Sequence, residues 1–143
     1  MQQNIVNENK GNLVVTSACL GSEFATYVLS YLDAKKLNLQ KRMNEYQNKI
    51  NNYLIYMKEL FGDDYYIELQ PSYGDEQIEY NTFALEIGRY YGIKCIVATD
   101  AHYQRPEYRN THAEFLKSQN AERETDSFYQ STYMMSVEEI KEY

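Results

Sequence analysis

Two residues invite a chemical reading before anything else. Asp100 and His102 stand two positions apart at the end of Ile93-Lys94-Cys95-Ile96-Val97-Ala98-Thr99-Asp100-Ala101-His102-Tyr103. On an extended segment, side chains at i and i+2 leave the backbone on the same side. A carboxylate and an imidazole so placed suit Zn²⁺ or Mn²⁺; a solvated loop pair fits the same two residues equally well. Cys19 ends another apolar run, Leu13 to Ala18. A thiolate there would be a soft third ligand, although residue type alone favours a small buried core side chain. Glu68 lies within Tyr66-Ile67-Glu68-Leu69. If that strand is interior, its carboxylate must be paired or bound; an edge or barrel-lining position explains it as well. His112, beside Thr111 and Glu114, reads as an exposed or capping histidine, and Cys95, inside its strand, as a core residue.

These residues need elements to hold them. The run from Ile93 to Ala98, bounded by Gly92 and polar residues, fits a strand buried on both faces, of the parallel-sheet type. Loops leaving the carboxyl ends of such strands gather side chains at one site, as on the top face of a β/α barrel. Leu13 to Ala18 is a second strand, and Ser22 is a good N-cap for a helix over Glu23 to Leu32. A longer helix runs from Leu39 to Phe61. Its apolar seam is Leu39, Met43, Tyr46, Ile50, Tyr53, Met57 and Leu60, at alternating spacings of four and three. That seam suits an outer helix packed against a sheet, with a coiled-coil partner as the alternative.

Tyr65 to Gln70 is a third strand. A helix from Asp75 to Tyr91 follows, with Ile78, Phe83, Ala84, Ile87, Tyr90 and Tyr91 as its buried stripe and Gly92 at C′. After Pro106 a helix runs to about Lys117, Ser118 to Ser127 reads as loop, and Tyr129 to Met135 as an extended piece. Ser136-Val137-Glu138-Glu139 is a capping box opening a helix that the chain leaves after two turns, which reads as an interrupted end. Strands alternating with helices imply parallel β/α units.

At 143 residues the chain is at most one ordinary domain. With 43% hydrophobic and 24% charged residues it is globular rather than disordered. Sixteen tyrosines against five phenylalanines make many packed positions amphipathic, with hydroxyls that need partners. A net charge of −7 gives no basic footprint for binding nucleic acid by charge alone. Two cysteines form no disulfide framework, and no run approaches the roughly 18 to 20 apolar residues of a membrane span. The expected setting is cytoplasmic. No P-loop, dinucleotide-binding or nucleophile-elbow motif occurs.

Gly11-Asn12-Leu13-Val14-Val15-Thr16-Ser17-Ala18-Cys19-Leu20-Gly21-Ser22-Glu23 resembles the G-L-I-x-x-S-G-C-L-G-G-E segment of bacterial DNA polymerase III alpha subunits. That segment lies in their polymerase and histidinol phosphatase (PHP) domain. Phe61-Gly62-Asp63-Asp64-Tyr65-Tyr66-Ile67-Glu68-Leu69-Gln70 resembles F-G-x-D-x-F-Y-L-E-L-Q of the same proteins. Gly92 to Tyr103 resembles G-I-P-x-V-A-T-N-D-x-H-Y, one residue shorter before the Asp. His112 with Phe115-Leu116, and Tyr133 to Glu139, follow in the family's order.

The resemblance implies a partial, distorted β/α barrel of TIM-like, PHP type, with residues 1–143 forming the second half of that domain. It also implies a metal-dependent phosphoesterase or 3′→5′ exonuclease site in the intact protein, or a scaffold for the polymerase core. Cys19, Asp100 and His102 stand where metal ligands stand; Glu68 and His112 are candidates to support them from behind. The family's H-x-H motif and the His and Glu ligands after it have no counterpart here. The isolated chain is therefore expected to hold Zn²⁺ or Mn²⁺ weakly or not at all, and to depend on the missing half, meeting DNA only through the intact polymerase. The alternatives are a free-standing PHP phosphoesterase and a non-enzymatic module that oligomerises through the 39–60 helix.

Overall fold

The computed structural model describes residues 6, 8–118 and 128–143; the loop expected over Ser118 to Ser127 falls almost wholly outside them. The protein is a mixed α/β chain whose described residues include the helices α1 (Glu23–Lys36), α2 (Gln40–Phe61), α3 (Asp75–Tyr91), α4 (Arg109–Ser118) and α5 (Val137–Ile140). Three short strands, β1 (Val15–Thr16), β2 (Tyr65–Leu69) and β3 (Cys95–Val97), form a parallel sheet in the order β1-β2-β3. Val15 pairs with Tyr65 and Thr16 with Tyr66, and the Ile67 N–H donates to the Lys94 carbonyl at 3.0 Å. Among the described residues the sheet is open, and no closed barrel forms.

The chain separates into two compact units, residues 1–69 with 80–96, and residues 70–79 with 97–143. In the first, α2 packs along α1. Phe24, Val28, Ile50, Leu54, Ile67 and Ala84 are fully buried in one apolar cluster. Ser22 caps α1 as expected, accepting from the Ala25 N–H at 3.2 Å. The α2 seam is spent inside this unit: Ile50 is buried, and Tyr53, Met57 and Leu60 pack on the cluster. The C-terminal part of the seam thus follows the outer-helix expectation, with α1 rather than the sheet as its main partner, and Leu39, at the N-cap, is 43% exposed.

The stripe expected on α3 is shifted. Tyr80 and Ala84 are buried, whereas Ile78 and Tyr90 face water at 47% and 81% exposure. A phenol with an internal partner displaces the aliphatic side chain because its hydroxyl meets Ser17 Oγ at 3.3 Å. Gly92 ends α3 at φ +63°, where a side chain would be strained. Its N–H and that of Ile93 close back on Arg89 and Gly88 at 3.3 and 2.9 Å. Gly88 lets α3 approach β3: a Cβ there would lie 3.0 Å from Cys95 Sγ. Burial pushes the Cys95 thiol up, as expected of a side chain turned to the core.

Burial of β3 on both faces is not found. Cys95 and Ile96 are half-buried and Val97 is 52% exposed, because β3 is an edge of an open sheet. At the other edge β1 is only two residues long, and Val14 just before it is 71% exposed.

The second unit is built from rings and backbone bonds. Tyr103 and Tyr133 form a parallel bridge and stack, and the Tyr103 hydroxyl donates to the Tyr129 carbonyl. The extended piece expected over Tyr129 to Met135 is partly a 3-10 turn, Phe128–Gln130, before that bridge. Pro106 opens a 3-10 turn that leads into α4. The capping box holds: Ser136 Oγ accepts from the Glu139 N–H at 3.2 Å, and Glu139 Oε2 from the Ser136 N–H at 2.7 Å.

Candidate functional site

In the first unit the chain leaving β1 passes through a polar network that ties it to β2. The Ser17 N–H donates to the Tyr66 carbonyl at 3.0 Å, and Ser17 Oγ accepts from the Glu68 N–H at 2.9 Å. Thr16 Oγ1 donates to Glu68 Oε2 at 2.7 Å, which gives the strand carboxylate the partner that its half-buried position demands. Burial, with the nearby Glu68 charge adding to it and the Ser17 bond opposing it, pushes the Tyr80 phenol up to about 12. Sequence reasoning missed Thr16, Ser17 and Tyr80. The available signal was Thr-Ser at the strand's exit, two hydroxyls where an apolar run would otherwise continue.

Immediately beyond, Ala18 adopts φ +58°, a conformation a β-carbon makes costly. It turns the chain into Cys19, whose carbonyl accepts the Ser22 N–H at 2.9 Å. Cys19 is half-buried, a free thiol at the mouth of this loop.

The corresponding loop after β3 belongs to the second unit. Asp100 has φ +44°, left-handed like Ala18. The segment is therefore not extended, and the expectation that Asp100 and His102 leave one side of a straight strand loses its basis. It is the Asp100 backbone carbonyl that meets His102 Nδ1, at 2.6 Å. A proton on Nδ1 makes that bond and leaves Nε2 as the basic nitrogen, an arrangement shared with metal-ligating histidines. The His102 backbone is fixed by its N–H, which donates to the Thr132 carbonyl at 2.8 Å.

His112 is neither exposed nor a cap. It is half-buried, with its ring 5.7 Å from His102, 5.0 Å from Tyr129 and 5.6 Å from Tyr103. Burial, then the neighbouring His102, holds its imidazole below the ordinary histidine range. An open, largely apolar groove runs beside this ring cluster, with Tyr108 and Phe115 on it 47% and 57% exposed.

Among the described residues no group of three or more His, Cys, Asp or Glu side chains is arranged to hold a metal ion. A hydrolytic ion needs about three protein ligands and an open position, so these residues do not by themselves fit a metal centre. What the two loops offer is narrower: a thiol after β1, and a carboxylate with a tautomer-fixed imidazole after β3. Among the described residues, no helix is long and apolar enough to cross a membrane.

The sequence as a whole is similar to DNA polymerases. The chain is 36% identical over 141 residues, 98% of its length, to "Probable DNA polymerase YorL" of Bacillus subtilis. It is 35% identical over 107 residues, 75% of its length, to DNA polymerase III subunit alpha of Aquifex aeolicus. The same subunit of Thermus aquaticus is 28% identical over 120 residues, 84% of this chain. The chain is thus a homologue of the DNA polymerase III alpha subunits. It spans 11%, 8% and 9% of the lengths of these three relatives. No protein-family profile matches it.

Proposed function

We propose that the chain is part of a PHP-type β/α domain in a DNA polymerase III alpha-like protein, working in DNA replication. Within that domain it supplies three parallel strands and the two loops after β1 and β3. The intact domain serves as a scaffold for the polymerase core or, where its ligands are complete, as a Zn²⁺- or Mn²⁺-dependent phosphoesterase that trims DNA 3′ ends. Cys19, Asp100 and His102 are this chain's contribution to the ligand set. Glu68, bonded to Thr16, keeps the β1 exit in register with β2; His112 packs on the His102 ring and holds it in place.

The observation that carries this reading is the open sheet. Its edge strands leave Val14 and Val97 exposed, while the aligned relatives continue far beyond the matched stretch. Exposed β-branched residues beside unpaired strand edges are surfaces to which further strands add.

Co-expression with a polypeptide carrying the H-x-H half of such a domain tests the reading. The expected result is a stable complex that binds Zn²⁺ or Mn²⁺, with binding lost in His102→Ala, and no tight metal on the chain alone. Absence of any complex, or stoichiometric Zn²⁺ binding by the chain alone, would overturn it. Turnover of a generic phosphomonoester by the pure chain would favour a free-standing phosphoesterase.

A further inference from the structure

Charge is unevenly distributed over this acidic chain. Between Asp33 and Glu45 four basic residues, Lys35, Lys36, Lys41 and Arg42, occur without an acidic one. The fold brings them to one tip of the first unit. α1 ends by donating the Leu39 N–H to the Ala34 carbonyl at 2.9 Å and the Asn38 N–H to that of Lys35 at 3.1 Å, with Asn38 at φ +54°. This tight reversal lets α2 begin at Gln40, so the four basic residues flank a single turn. All four are exposed, as are Asn38 and Gln40. Asn38, Gln40, Lys41 and Arg42 line one open groove with Leu39 and Glu45. Glu45, which lines the same groove, is engaged by Lys49 at 2.7 Å, and Arg42 and Lys41 add to the attraction that holds its carboxyl low.

Helix electrostatics accounts for half of this cluster. Lys35 and Lys36 sit in the last turn of α1, where cations offset the negative end of the helix dipole. Lys41 and Arg42 are at the wrong end for that. They occupy the first turn of a 22-residue helix, which has no acidic residue in that turn and no side-chain bond from its N-cap, Leu39. Cations there oppose the dipole. A departure from local preference on an exposed surface points to a demand from outside the helix. Arg42 is also held over the Tyr46 ring, 5.6 Å from its centroid, which limits the freedom it loses on binding.

We propose that this tip, Lys35, Lys36, Lys41 and Arg42, is a contact surface for the phosphate backbone of duplex DNA. Cations with adjacent amide donors are the groups that position a protein on phosphates without reading sequence. The choice of DNA over an acidic polypeptide rests on the polymerase-related function proposed above. Leu37, 65% exposed at the same turn, has no part in a phosphate contact.

Fluorescence anisotropy of a labelled 20-base-pair duplex against the full chain reads the proposal. Four phosphate contacts give a log–log salt slope of about −3 to −4, hence an affinity loss of about 100-fold between 50 and 200 mM salt. The variant K35E/K36E/K41E/R42E, and the milder K41Q/R42Q, should weaken binding and flatten that slope with unchanged far-ultraviolet circular dichroism. Reversal of Lys94 and Lys141 should leave binding as it was, and so should L37S. Equal binding by the quadruple variant would overturn the proposal. So would displacement of the duplex by poly-L-glutamate as efficiently as by unlabelled DNA, which would assign the tip to an acidic polypeptide. Neither result touches metal binding or complex formation with the H-x-H half, so the earlier reading stands or falls separately.

Discussion

The two units reach order by different physics. Residues 1–69 with 80–96 close around a continuous apolar cluster in which Phe24, Ile50, Leu54 and Ile67 are wholly buried. Residues 70–79 with 97–143 bury tyrosine rings and small polar residues: Tyr103, Tyr129, Ser131 and Thr132. Area removed from water is non-directional and large, whereas ring contacts and single hydrogen bonds each contribute on the order of 1 kcal/mol and depend on geometry. Asp100 and His102 belong to the second kind of environment, and Cys19 to the first.

Substitutions sharpen that contrast. Phe24→Ala removes a ring that stacks on Tyr53 and meets Tyr80 edge-on, and should cost about 3 to 5 kcal/mol in urea unfolding of the first unit. Alkali should strike the same unit next. The Tyr80 pKa is raised in the fold, so its contribution is complete below pH 10 and is lost as pH rises through about 12. The loss amounts to about 3 kcal/mol, read as a fall in the urea midpoint that Tyr80→Phe reduces, since burial raises Tyr65 of the same unit as well. An unchanged midpoint from pH 9 to 12 would refute the assignment.

In the second unit the effects are smaller. Tyr103→Phe deletes the hydroxyl that donates to the Tyr129 and Gln130 carbonyls. Faster hydrogen exchange at the His102 amide is expected, by about 1 to 2 kcal/mol of opening free energy, with the first unit's protection unchanged. Ser136→Ala removes the N-cap of α5 and should cost about 1 kcal/mol locally, visible as lost exchange protection at Ile140. Equal responses of both units to Phe24→Ala, Tyr103→Phe or Ser136→Ala would mean that they unfold as one.

The Leu39 to Leu60 seam was legible in the sequence because a period near 3.6 repeats over six turns, and an apolar core rewards that repetition wherever the helix packs. The Ser22 N-cap, the Gly92 C′ glycine and the Ser136 capping box were legible for a related reason: each satisfies its backbone groups within a few residues. The α3 stripe was not, since hydropathy alone ranks Ile78 above Tyr80 and cannot register a hydroxyl partner 63 residues away in sequence, at Ser17. His112 was misplaced in the same way; its neighbours Tyr129 and Tyr103 come from other segments.

By itself, the order of residues determined the helices, the parallel β/α alternation, the kinship with DNA polymerase III alpha subunits and the identity of the chemical groups at the strand exits. Those properties are local, or accumulate along the chain. Only the tertiary structure decided that the sheet of the described residues stays open at both edges, that Glu68 is held by Thr16, and that the backbone turns left-handed at Asp100 so that His102 meets a carbonyl. Each of these depends on which distant segment arrives alongside, and a hydrogen bond or an unpaired strand edge exists only once both sides are in place.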